Sequence, residues 1–188
     1  MSNLLKKLLN ADVVIITVTV LAMLFVTATA NAAWLTFEEN DKTYAVLHGE
    51  IQEADAVVPD ADAYLINSHG GQIWAGYKIA EQLKGKPVTF KMAHSIAAVI
   101  VLETGAAPID GASLGFHWAS SKVDVPQDTL DYVNGLMLKS IVTNMKPQIA
   151  SKVIAGMNQI WDRDQSTTVV QLCPTTLEVT IVTLSKVN

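Results

Sequence analysis

Apolar and polar positions along this chain fall into two regimes. Near the start a single uncharged run extends from Val13 to Phe37, and its centre, VVIITVTVLAMLFV, is strongly apolar. After it, apolar runs of strand length alternate with longer stretches of helical spacing. TYAVLHGEI (Thr43 to Ile51) is rich in β-formers, and AYLINS (Ala63 to Ser68) reads as a second strand ending at Gly70 and Gly71. IWAGYKIAEQL (Ile73 to Leu83) places Ile73, Gly76, Tyr77, Ala80 and Leu83 on one helical face and turns Lys78 and Glu81 away from it. On that face Gly76 would admit a close neighbour.

KGKP turns the chain, and PVTFKM (Pro87 to Met92) predicts a third strand. IAAVIVL (Ile96 to Leu102) is apolar throughout, which suits a buried helix whose Ala97 and Ala98 let the backbone approach a sheet; Gly105 ends it. ASLGFHW (Ala112 to Trp118) is a fourth strand. A polar loop around Pro126 leads to a helical stretch from about Asp128 to Gln159, bent or broken at Pro147. TLEVTIVTL (Thr176 to Leu184) predicts a last strand. Strands and helices in this order imply an α/β fold with parallel strands joined by right-handed crossovers and flanked by helices.

The chain's 188 residues suffice for one folded unit with a sizeable core. Its net charge is −5 and its pI about 5.2, with no basic cluster past the first few residues, which excludes nucleic acid as an expected partner. Lys6 and Lys7, the apolar run and the small residues TATANAA have the layout of a secretory signal, cleaved after Ala32 so that the mature chain, of net charge −6, starts at Ala33. The competing reading is an uncleaved membrane anchor through residues 13–32. Both place residues 33–188 outside the cytoplasm, periplasmic or secreted in the first case and membrane-attached in the second. With Cys173 as the one cysteine, no intramolecular disulfide is possible.

In open α/β sheets ligands bind beyond the carboxyl ends of the strands, and three features fall there. Ser68-His69-Gly70-Gly71 follows a strand and precedes a helix; it is either a simple turn or a turn whose backbone N–H groups hold an oxyanion. Ser95, between the third strand and the apolar helix, is either an N-cap or a nucleophile displayed on a strand-to-helix turn. His117, within the apolar LGFHW, is either a satisfied core histidine or the base that a serine nucleophile requires.

INSHGGQIWAGYKIAEQL, AHSIAAVIVLETGA and ASLGFHW, in that order and spacing, resemble the proteolytic subunit of the Clp protease (ClpP) and its wider crotonase-like superfamily, over Tyr44 to Trp118 and more loosely from Asp128 to about Val170. The resemblance implies the crossover fold shared with enoyl-CoA hydratases. It implies a serine peptidase with Ser95 as nucleophile, His117 as general base, Gly71 and Ile96 as oxyanion donors, and Gly70 shaping the turn. It also implies an acid after the long helix: Asp-Arg-Asp looks like the family's Glu-Arg-Asp and points to Asp164 before Asp162. A peptide or protein substrate and a homo-oligomer are expected on the same ground, with no cofactor.

His48, His69, His94 and His117 lack the spacing of a zinc site, so no metal is expected. Glu103 reads as a solvated or capping group, Lys122 as a weak alternative base, and no nucleotide-binding P-loop is present. Three functions compete: ATP-independent peptide hydrolysis outside the cytoplasm, acyl-CoA chemistry, which an exported chain disfavours, and a non-catalytic assembly or binding protein. The fold alone cannot choose among them.

Overall fold

A computed structural model describes residues 33–120, 124–160 and 168–183. β1 (Ala33–Glu39) and β2 (Lys42–Ile51) form an antiparallel hairpin. It turns at Asn40 and Asp41, both at positive φ (51° and 60°), the handedness that matches strand twist in a two-residue loop. A short 3-10 turn (Glu53–Ala56) leads to β3 (Ala63–Gly71), α1 (Ile73–Leu83), β4 (Val88–His94), α2 (Ile96–Thr104) and β5 (Ala107–Phe116). β2 to β5 are mutually parallel. Two helices, α3 (Gln127–Asn144) and α4 (Pro147–Gln159), then precede β6 (Thr168–Leu172), antiparallel to β5, and β7 (Val179–Thr183), antiparallel to β6. The seven strands lie in the sheet in chain order.

The expected α/β class, with parallel strands and flanking helices, is the observed one, and antiparallel strands at both edges make the sheet mixed. α1 and α2 pack on each other, α2 lies on β3, β4 and β5, and α4 lies on β6 and β7. Leu47, Ile66, Phe90, Ala97, Ala98, Ile100 and Phe116 fill the core between sheet and helices. A Cβ on Gly76 would run into the Ile96 side chain, so this glycine does set the approach of α1 to α2.

Several boundaries differ from the sequence expectation. The stretch from Asp128 to Gln159 is two helices: Met145 leaves the helical region and Pro147 opens α4 at its first position, where a missing N–H costs nothing. β5 starts five residues before Ala112 and ends at Phe116, and β4 runs on through His94. On α1 the fully buried positions are Ala75, Gly76, Ile79, Ala80 and Leu83, while Ile73 and Tyr77 sit at the margin. β1 and β6 were not anticipated; both are short, and β1 lies at the sheet edge, where alternation is a weak signal.

Candidate active site

The carboxyl ends of β3, β4 and β5 converge on Ser95. It is the residue between β4 and α2, with φ 56° and ψ −128°, a conformation that costs a non-glycine residue about 1–3 kcal/mol. Its side chain makes no capping bond to α2, so the N-cap reading of this serine does not hold. Its backbone is fixed instead: the Ser95 N–H donates to the Gly115 carbonyl at 2.8 Å, and its own carbonyl accepts from Ala98 N–H at 3.0 Å. Among the described residues the hydroxyl has no hydrogen-bond partner, and the residue is half-buried.

The glycine pair that ends β3 lies beside this serine. A Cβ on Gly70 (φ +97°) would lie 2.6 Å from Ser95 Cβ, 2.7 Å from the His94 carbonyl oxygen and 3.2 Å from Ser95 Oγ. Gly71 (φ +143°) has equally little room, since a Cβ there would overlap the Ile51 backbone. Ser68, fully buried, pins this end of β3: its Oγ donates to the Gly49 carbonyl at 2.6 Å and accepts from Gly70 N–H at 3.0 Å. SHGG, expected as a turn after a strand ending at Ser68, is instead the end of β3: Gly70 and Gly71 still pair with Glu50 and Ile51 of β2 before α1 begins. Ile96 opens α2, and a first helical N–H has no intrahelical acceptor.

His117 lies just beyond β5, half-buried. Its Nδ1 is 2.7 Å from the Trp118 carbonyl oxygen. A carbonyl can only accept, so Nδ1 carries the proton, and the neutral ring presents Nε2 as a lone pair. Burial lowers the His117 pKa, partly offset by the hydrogen bond to Trp118, which keeps the ring an unprotonated base near neutrality. Among the described residues no hydrogen bond joins Ser95 to His117. Catalytic hydrogen bonds in unliganded sites are often long and tighten only with substrate.

Two residues that carried no role in the sequence reading belong to this site. His94 faces Gly115 in the β4–β5 register, and a Cβ on Gly115 would come within 2.5 Å of His94 Cδ2. The absent side chain of Gly115 thus makes room for the His94 ring, while its carbonyl holds Ser95. His94 is 4% exposed, and its Nε2 stands 3.5 Å from Ser113 Oγ. The His69 ring meets it edge-on at 5.7 Å, and on β2 His48 Nδ1 lies 3.1 Å from Asn67 Nδ2. A polar residue directly before the candidate nucleophile, opposite a glycine on the next strand, was the available signal. Among the described residues no group of three or more His, Cys, Asp or Glu is placed to hold a metal ion.

Glu103 ties helix ends together through Lys84 Nζ at 3.5 Å and Asn144 Nδ2 at 3.5 Å, far from this chemistry. Asp162, Asp164, Lys122 and the leader, residues 1–32, lie outside the described residues. Within the described ones no helix is long and apolar enough to cross a membrane.

No family model and no curated protein matches the chain. Among solved structures it is similar to a mutant of ClpP1 from Listeria monocytogenes, at 16% identity and a TM-score of 0.46, over 58% of this chain and 77% of that one. At that distance the functional reading rests on the geometry of the chain itself.

Proposed function

We propose that this protein is a serine hydrolase that cleaves peptide bonds through an acyl-enzyme. Ser95 Oγ attacks the scissile carbonyl as its proton passes to His117 Nε2. The tetrahedral oxyanion is held by the N–H groups of Gly71 and Ile96, and Gly70 shapes the turn that presents them. His117 then gives the proton to the leaving amine; water, deprotonated by the same ring, attacks the acyl carbon, and the bond to Ser95 Oγ breaks as Oγ takes that proton back, releasing the acid. The observation that carries the reading is the strained, uncapped Ser95 held between Gly70 and Gly115, with His117 just beyond the end of the adjacent strand. The motif resemblance supports the same roles, and a peptide or protein substrate and a homo-oligomer rest on it alone.

A fluorophosphonate is expected to label the purified protein on Ser95, and Ser95→Ala to abolish labelling with the fold intact. Losing one member of such a unit costs several powers of ten in rate. A folded protein that never labels would instead support the second reading, a non-catalytic assembly or binding protein, which the missing Ser95–His117 hydrogen bond favours.

Asp164, with Asp162 as the alternative, is proposed as the acid behind His117. To reach Nδ1 it must displace the Trp118 carbonyl. Asp164→Asn is expected to lower turnover by about two powers of ten or more with little loss of stability, and Asp162→Asn to be nearly neutral. If steady-state kinetics find both silent, the main-chain carbonyl suffices and the site works as a dyad. Residues 1–32 are proposed as a cleaved export signal, on the apolar run and the small residues before Ala33. N-terminal sequencing of the exported chain should start at Ala33, and an intact membrane-embedded form would mean an anchor.

A further inference from the structure

We propose that His94 is a positioning residue for the Ser95 turn and that it acts only as a neutral imidazole, so that proton uptake by its ring releases the nucleophile. The kinetic part of its test rests on Ser95 as nucleophile; the structural part does not.

The argument starts from the two glycines around Ser95. On one side a Cβ on Gly70 would run into both Ser95 and the His94 carbonyl. On the other, Gly115 holds the Ser95 N–H through its carbonyl and receives the His94 ring where a side chain would otherwise be. The ring of residue 94 and the backbone of residue 95 therefore share one support. Removing the ring leaves a void over Gly115, beside the hydrogen bond that fixes the strained serine, and small misplacements near a nucleophile lower rates steeply.

The protonation state follows from the ring's partners. Nε2 has a long approach to Ser113 Oγ, and Nδ1 is buried with no partner among the described residues. A neutral ring can turn its one N–H toward Ser113 and leave Nδ1 as a bare acceptor. An imidazolium would add a second N–H, on Nδ1, with nothing to receive it, and a charge in a buried place. The titratable groups around the ring offer no help. From β3 comes His69, from beyond β5 His117, and one strand further His48, which acts on His69. Among the described residues no carboxylate pairs with any of these histidines. Burial first, and then His69 and His117, push the His94 pKa down to about 4. The ring is thus neutral at pH 7 and gains its proton as pH falls toward that value.

The test compares His94→Ala, which removes the ring, with His94→Phe, which keeps a flat ring without a titratable nitrogen. Fluorophosphonate labelling of Ser95 would be followed from pH 4 to pH 8 in the full chain, with circular dichroism checking the fold. His94→Ala should slow labelling at pH 7 by about tenfold or more. His94→Phe should recover most of that loss, and its decline in acid should lack one of the protonations seen in the wild type. Wild-type labelling rates in His94→Ala, or an unchanged acid decline in His94→Phe, would overturn the proposal. If the wild type never labels, the peptidase reading fails, yet the inference is still decided by NMR. The Ser95 amide resonance must then move with the titration of the His94 ring, and an amide indifferent to that titration sinks it.

Discussion

The two ends of α2 both require a backbone with positive φ, and the chain meets the requirement in opposite ways. At the C-terminal end Gly105 (φ 65°, ψ 31°) closes the helix, with its N–H toward Leu102 O at 3.4 Å and the Ala106 N–H toward Val101 O at 3.1 Å. That is the glycine-ended Schellman geometry, and a Cβ on Gly105 would meet nothing within 4 Å. At the N-terminal end the position belongs to a serine: a Cβ on Gly70 would run into it, and the Gly115 carbonyl accepts from its N–H. Where the conformation only ends a helix, glycine adopts it without strain. Where the position carries a hydroxyl, the strain is kept and Gly70 on the neighbouring strand has no side chain.

This contrast can be broken most severely at Gly70. Gly70→Ala places a methyl against Ser95 Cβ and the His94 carbonyl at a φ of +97°. It should slow fluorophosphonate labelling by about a hundredfold and cost about 1–3 kcal/mol in a urea melt. A normal labelling rate in this variant would mean that the turn does not position Ser95.

Smaller effects, of opposite sign, are expected from a matched pair of substitutions. Ser95→Gly should leave a protein that cannot be labelled but is more stable by about 1 kcal/mol, because the strained residue is gone. Gly105→Ala should lose about 1 kcal/mol and label at the wild-type rate, since the added methyl enters open space. Equal losses of stability at both ends would show that Ser95 carries no stored strain.

The central sheet was legible because its signals are local and strong. IAAVIVL has no polar position, and the helix bounds at Ile73 and Leu83 follow from spacing that a Gln and a Lys-Gly pair delimit. β6 was not legible: its buried Thr168, Val169, Val170 and Leu172 make a short run without alternation, and only pairing to β5 and β7 distinguishes it from loop. At the site, Ser95 and the glycine pair stood out as local motifs. His94 did not, because its burial depends on Gly115, twenty-one residues away in sequence and opposite it in the sheet.

Chain order and sheet order coincide from β1 to β7, so each strand can add beside the one made before it. The serine turn is an exception to this stepwise growth. Gly70 precedes it and Gly115 follows it, and the strained conformation is offset only with both in place. A nascent chain ending before β5 can pair β2, β3 and β4, yet it lacks the carbonyl that holds Ser95. Ser95 is thus held in its positive-φ conformation only after β5, the strand that leads to His117, has docked, and a chain that stops short of β5 carries a serine without that support.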